Sequence, residues 1–314
     1  MTTVFVFPGQ GSQAVGMGAD LARSAAEARA VFDRVDDALG QKLSSIIFEG
    51  SQEQLTLTAN AQPALLAVSI AVLEVVKQRS GRQIGDLAAY GAGHSLGEYS
   101  ALTAAGALDL EDAARLLRLR GEAMQAAVPV GQGAMAALLG LSIDDVEALL
   151  AEIGDAGICD IANDNAEVQV VISGERQAVE AVVDLSKGRG ARRAMMLDVS
   201  APFHCRLMEP AARRMEAALA EAAVKPPQVP VITNVAAEPE TDPDMLRRLL
   251  VAQVTGRVRW RESMATMAAL NAERIVELGA GKVLTGLAKR GVKTARGQAI
   301  ETSEDIDAYL QELQ

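Results

Sequence analysis

Short apolar runs alternate with stretches of helical spacing along most of the chain. Residues 4–7 are a run of β-formers closed by Pro8-Gly9, which predicts a buried strand followed by a loop. Residues 19–39 place Leu21, Ala25, Ala28, Val31, Phe32, Val35 and Leu39 on one side, with Gly40 as a C-cap, and predict one amphipathic helix. The apolar stretch 64–76 is interrupted by Ser69 and Glu74 and falls short of the ~20 residues of a membrane span. It predicts a buried core helix over 61–78, with Pro63 in its first turn. Residues 87–92 are a weaker strand candidate. Helices follow over 97–105 and 110–125, the second opened by Asp109.

Around residue 128 the texture changes. Val128-Pro129-Val130-Gly131-Gln132-Gly133 has the composition of a linker. Strand 134–139, a helix opened by Ser142 and running to 153, strands 157–162 and 168–173, helix 177–187 and strand 194–199 follow. Asn163-Asp164-Asn165 reads as the turn between the two middle strands. The order β-α-β-β-α-β is the ferredoxin-like pattern. Beyond it come helix 207–223, a Pro-rich loop, strand 229–233 and strand 274–278. Helices alternating with short apolar strands favour a parallel sheet covered on both faces. No internal repeat interrupts this scheme.

Composition narrows the function. The chain has 314 residues, is 49% hydrophobic and carries a formal net charge of −11, so disorder and broad attraction to nucleic acid or anionic membrane are excluded. Two cysteines, Cys159 and Cys205, build neither a disulfide framework nor a four-thiolate zinc site. The start lacks a basic n-region and a long apolar h-region, so a cytoplasmic location with free thiols is expected. The two histidines matter most. A mechanism needing an imidazole base has only His94 and His204 to choose from.

Gly93-His94-Ser95-Leu96-Gly97 matches G-x-S-x-G between a candidate strand and a candidate helix. In that context a sharp turn projects the serine, and amides at the helix N-terminus face any developing oxyanion. His94 adjoins the serine and is poorly placed to take its proton. His204 lies where the small insert hands back to the larger body; it reads as the base, or else as a capping or surface residue. Gly9-Gln10-Gly11-Ser12-Gln13-Ala14 fits a dinucleotide fingerprint, but the acidic second strand of that motif is missing. From pattern alone Arg120 is an ordinary helical arginine, Asn163 and Asn165 are turn formers, and Gln62 and Gln253 are helix residues. The expected architecture is a large α/β-hydrolase-like domain over residues 1–128 and 199–314. A small ferredoxin-like α+β subdomain over 129–198 is inserted into it.

Taken together, the blocks Phe7-Pro8-Gly9-Gln10-Gly11-Ser12-Gln13, Ala61-Gln62-Pro63, Gly93-His94-Ser95-Leu96-Gly97-Glu98-Tyr99, Arg120-Gly121, Ser200-Ala201-Pro202-Phe203-His204 and Val276-Glu277-Leu278-Gly279 occur in order. The chain thereby resembles the malonyl-CoA:acyl-carrier-protein transacylases of type II fatty-acid synthesis and the related acyltransferase domains. The resemblance implies a Ser95 nucleophile with His204 as base, oriented by backbone carbonyls. It implies an oxyanion hole from the Gln10 and Leu96 amides and a substrate carboxylate on Arg120. Gln62, Met124, Asn165, Gln253 and Phe203 would line the pocket, with Phe203 crowding an α-methyl branch. The loop Ala166-Glu167-Val168-Gln169, where the family usually has a Pro-Gly pair before the Gln, and Ala280, where a Pro is common, depart from the family pattern without touching a proposed catalytic atom.

The implied reaction is ping-pong malonyl transfer from malonyl-CoA to the phosphopantetheine thiol of acyl carrier protein, through a malonyl-serine. No metal or cofactor is expected, and neither are nucleic-acid or membrane partners; the expected state is a monomer. A serine thioesterase or hydrolase, a methylmalonyl transferase and an inactive carrier-binding module are the alternatives. Acyl carrier proteins are generally acidic, so this acidic chain needs a local basic patch. Arg189, Arg192 and Arg193, or Arg257, Arg259 and Arg261, or Lys282, Lys289 and Arg290 are the candidates.

Overall fold

The computed structural model describes residues 1–154 and 156–313. The chain forms two sheets. Strands β1 (Thr3–Phe7), β2 (Tyr90–Gly93), β7 (Val231–Ile232), β8 (Pro239–Glu240), β9 (Arg274–Leu278) and β10 (Arg296–Ile300) make the larger one, in the order β10-β9-β1-β2-β7-β8. All its pairings are parallel except β7 with β8. Strands β3 (Gly133–Leu139), β4 (Cys159–Ala166), β5 (Gln169–Glu175) and β6 (Arg193–Met196) form a separate antiparallel sheet in the order β4-β5-β3-β6. Helices Ile143–Ile153 and Arg176–Lys187 complete its β-α-β-β-α-β order. The mixed α/β architecture with a small ferredoxin-like sheet is the one expected.

β1 and β9 are buried at every position, as central parallel strands must be. Over them lies the helix Thr58–Ser80, whose apolar residues are buried all round. It has the length and composition of a membrane span but sits inside the protein, 89% buried over its most apolar stretch. It begins three residues earlier than the sequence predicts, so Pro63 is inside the helix and not in its first turn. Gly81, at φ 67°, ends it.

Several other expectations change. Residues 19–39 form two helices, Ala19–Ser24 and Ala26–Leu39, because the buried Ala25 is extended and redirects the chain so that Leu21 and Phe32 both reach the core. Asp109 stands at a helix start but makes no cap; its carboxylate binds Lys225 Nζ at 3.0 Å. Residues 84–87 are a helical turn, and the strand begins only at Tyr90. Residues 207–223 open with a 3₁₀ turn before the helix Glu209–Glu221. The predicted Asn163–Asn165 turn lies within β4, across two register shifts. These polar side chains find distant partners instead of closing a local turn: Asp164 is fully buried against Arg261, 2.7 Å away. Helices Trp260–Ala269, Val283–Gly291 and Ser303–Gln311, with β10, fill regions to which the sequence reading assigned no element, and Gln253, read as a helix residue, lies in the helix Pro243–Thr255.

Candidate active site

The site forms where β1 and β2 end, at the carboxyl edge of the parallel sheet. Ser95 follows β2 at φ 53°, a left-handed conformation that a non-glycine residue holds only at a cost of about 1–3 kcal/mol. Its flanking glycines are there for space. A Cβ on Gly93 would sit 1.9 Å from the Gly97 backbone, and one on Gly97 would sit 2.2 Å from the Phe7 carbonyl oxygen. The turn therefore folds tightly onto the end of β1 and points the serine into a cleft of about 350 Å³. The cleft is lined by Gln10, Gln62 and Met124 and by Met135, Asn163 and Leu197 from the small sheet and its exit.

His204 reaches across the cleft from the loop before the 3₁₀ turn, itself at φ 57°. Its Nε2 lies 2.7 Å from Ser95 Oγ. Nδ1 lies 2.9 Å from the Gln253 carbonyl and 3.2 Å from the Gly256 carbonyl. Carbonyl oxygens only accept, so Nδ1 carries the proton and Nε2 is left to accept from the serine hydroxyl. Burial and the Arg120 guanidinium push the imidazole down to about 3, so it is a neutral base at ordinary pH. Among the described residues no carboxylate takes the third position of a triad; two peptide dipoles do.

Arg120 is 1% exposed. Its helix Leu110–Ala127 packs closely on Thr58–Ser80 because residue 121 is glycine: a Cβ there would lie 2.6 Å from Ala59 Cα. The guanidinium donates to Gln62 Oε1 and Gln253 Oε1, both at 2.8 Å, and to Ser95 Oγ at 3.1 Å. All three acceptors are neutral, and its Nε is buried without a partner. A buried cation with only neutral hydrogen-bond partners, facing the cleft beside Ser95, has a charge that an anion in the cleft would balance.

The backbone amides of Gln10 and Leu96 make no hydrogen bond within the chain among the described residues, and both residues line the cleft. The Ser95 amide is committed to Asn234 Oδ1 at 2.7 Å. Phe203 also lines the cleft. Two expected pocket residues lie elsewhere. Asn165 Oδ1 accepts from His94 Nε2 at 2.8 Å and holds the imidazole beside Trp260, so Asn163 faces the cleft in its place. Gln253 stands behind Arg120 and does not touch the cleft.

The sequence reading missed Asn234 and Glu98. Asn234 receives the Ser95 amide and donates to the Gly93 carbonyl at 2.6 Å, clasping the serine turn from both sides. Its backbone N–H and Gln253 Nε2 both donate to Glu98 Oε2, each at 2.8 Å. The signal for Asn234 was present: a polar residue directly after the predicted strand 229–233, at the sheet edge where sites form.

A serine hydroxyl within hydrogen-bond reach of an imidazole, two unbonded amides and a buried cation are the parts an acyl-transfer enzyme needs. Residues 4–306 match the acyl transferase domain, and the chain belongs to that family of enzymes. Within it, the chain is 44% identical over 310 residues to the malonyl CoA-acyl carrier protein transacylase of Bacillus subtilis, covering 98% of this chain and 96% of that one. The crystal structure of an acyl-carrier-protein-S-malonyltransferase from Bartonella henselae superposes with a TM-score of 0.97 at 54% identity, covering 100% and 99% of the two chains. A malonyl-transacylase in complex with its type II PKS acyl-carrier protein matches with a TM-score of 0.95 at 40% identity, over 99% and 100%.

Proposed function

We propose that this enzyme moves a malonyl group from malonyl-CoA to the phosphopantetheine thiol of an acyl carrier protein, in two half-reactions joined by a malonyl-Ser95 ester. The observation that carries the reading is the convergence on one oxygen: Ser95 Oγ lies 2.7 Å from the His204 base and 3.1 Å from the Arg120 guanidinium. The names of the relatives support the same substrate and acceptor.

In the first half-reaction His204 Nε2 takes the hydroxyl proton as Oγ attacks the thioester carbonyl. The oxyanion rests on the Gln10 and Leu96 amides, a type of contact worth about 10²–10³ in rate per donor. Collapse breaks the C–S bond, and the imidazolium returns its proton to the departing CoA sulfur. The second half-reaction runs the same steps backwards with the carrier thiol as nucleophile. Arg120 holds the free carboxylate throughout, and Phe203 crowds an α-methyl branch. Protein groups serve every step, so the proposed chemistry calls for no metal or cofactor.

Carrier docking fits one basic groove. Among the earlier candidates, Arg189, Arg257, Arg259 and Arg261 are each within 4.0 Å of a carboxylate. Arg192, Arg193 and Arg290 have no such partner among the described residues and meet, with Lys293, around a groove of about 620 Å³. β4 runs from Asn163 at the cleft to Ala166 at this groove, a step of about 10 Å at 3.3 Å per residue. Arg193→Glu or Arg290→Glu should raise KM for the carrier and leave that for malonyl-CoA unchanged.

The reading is tested by intact-mass spectrometry after incubation with a mixture of acyl-CoAs. A malonyl adduct that is absent in Ser95→Ala is expected. Preferential acetylation, or rapid release of free malonate without a thiol acceptor, would overturn it.

A further inference from the structure

Arg120 raises a question of charge that the transfer mechanism leaves open. It is a fully buried guanidinium whose hydrogen-bond acceptors are all neutral. A cation in that position needs a counter-charge when no substrate is present. Glu98, at 0% exposure on the helix that starts behind Ser95, stands one amide away: Gln253 donates to Glu98 Oε2 and accepts from Arg120.

The two oxygens of Glu98 are unequally dressed. Oε2 accepts two hydrogen bonds, from the Asn234 backbone N–H and from Gln253 Nε2. Oε1 is buried with no partner at all. Half of this environment suits a carboxylate and half does not, so the group is poised between its two protonation states. Burial raises the carboxyl to about 7, against the opposing pull of Asn234, Gln253 and Arg120. The other titratable neighbours are silent near neutrality. Burial raises Tyr99, next on the same helix, and lowers His204, on the facing loop, and His94, in the serine turn. Beside the hydrogen bonds from Asn234 and Gln253, Arg120 is thus the neighbouring charge that favours the Glu98 carboxylate.

We propose that Glu98 is the counter-charge of Arg120 in the empty site and takes up a proton when a malonyl carboxylate occupies the arginine. The inference rests on the reading above that Arg120 receives that carboxylate. The buried compartment then stays neutral in both states. Empty, it holds the guanidinium and the Glu98 carboxylate; filled, it holds the guanidinium, the substrate carboxylate and a neutral Glu98. Glu98 acts through Gln253 and is a positioning residue. Its proton comes from solvent and returns there when malonyl leaves. Acetyl-CoA brings no carboxylate and moves no proton.

The test is calorimetric binding of malonyl-CoA and acetyl-CoA to the Ser95→Ala protein, in two buffers of different ionisation enthalpy at pH 7. Uptake of about half a proton is expected with malonyl-CoA and none with acetyl-CoA. Glu98→Gln in the same background keeps the shape and the Oε acceptor and should abolish the uptake. Malonyl binding that depends on Arg120 but moves no proton would overturn the proposal, as would uptake surviving in Glu98→Gln. Equal binding of both thioesters, unaffected by Arg120→Ala, would instead refute the carboxylate role of Arg120 itself. Should Glu98→Gln not fold, the unmodified enzyme provides a second readout. Its KM ratio of malonyl-CoA to acetyl-CoA should rise up to tenfold per pH unit above pH 7, and a flat ratio would overturn the proposal.

Discussion

Replacing Arg120 with alanine isolates the selection of a carboxylated acyl group from the chemistry of transfer. The guanidinium lies 3.1 Å from the nucleophile and is 1% exposed, so a carboxylate bound there is shielded from water. Hydrogen bonds to a charged group are worth about 1.5–3 kcal/mol each, and a guanidinium presents two in parallel. Losing both removes about 3–6 kcal/mol, which at 1.36 kcal/mol per decade is about 10²–10⁴ in kcat/KM for malonyl-CoA. Acetyl-CoA makes no such contact. Its loading changes through the three acceptors that lose a donor, Gln62 Oε1, Gln253 Oε1 and Ser95 Oγ, and through the loss of the neighbouring charge at His204, and should fall by much less than malonyl loading. The assay is the rate of Ser95 acylation by each thioester at subsaturating concentration, read by intact mass. An equal loss for both thioesters refutes the reasoning. Arg120→Lys keeps the charge without the fork and should fall between the two proteins.

Asn234→Ala leaves the Ser95 amide and the Gly93 carbonyl without their partner. At about 1–3 kcal/mol per orphaned group it should lower the melting temperature and slow acylation together; an unchanged rate would show that the clasp is dispensable. Gly93→Ala should abolish soluble folded enzyme, because its Cβ would overlap the Gly97 backbone, and full activity would contradict the turn geometry. Burial and Arg120 hold folded His204 at about 3, against about 6.5 in an unfolded chain. Between those values the unfolded state binds more protons, so this residue makes the protein less stable as pH falls from about 6.5 to 3. His204→Gln should therefore lose less stability than the parent on acidification across that window, as measured by urea unfolding.

Much of the site was legible because chemistry concentrates at turns that only particular residues permit. The glycines around Ser95 signalled a steric requirement, and a chain with two histidines left few choices of base. The β1 run was legible because a strand buried on both faces is apolar, whereas β9 buries Arg274 and Glu277 against Glu312 and Thr285 and shows only a short apolar core at Ile275-Val276. The mid-chain helices with one apolar face were readable too, although the break at Ala25 has no local marker. Polar residues satisfied at a distance were opaque. Asn165 looks like a turn former, yet its partner His94 is 71 residues away. Arg120 looks like a solvated helix residue because its burial depends on Gly121 admitting a neighbouring helix. Glu98 and Gln253, 155 residues apart, carry no mutual pattern at all.

The carbonyl-held histidine bears on which nucleophile finishes the proposed reaction. An aspartate behind the ring would stabilise the imidazolium and make a stronger base, able to activate water. Two peptide dipoles do less, and the neighbouring guanidinium opposes the ring's charge. Such a base suits an acceptor that gives up its proton readily. A thiol, with a pKa near 8.5, is such an acceptor, whereas water at 15.7 is not. On this view the absent carboxylate protects the acyl ester from hydrolysis while the chain waits for its carrier.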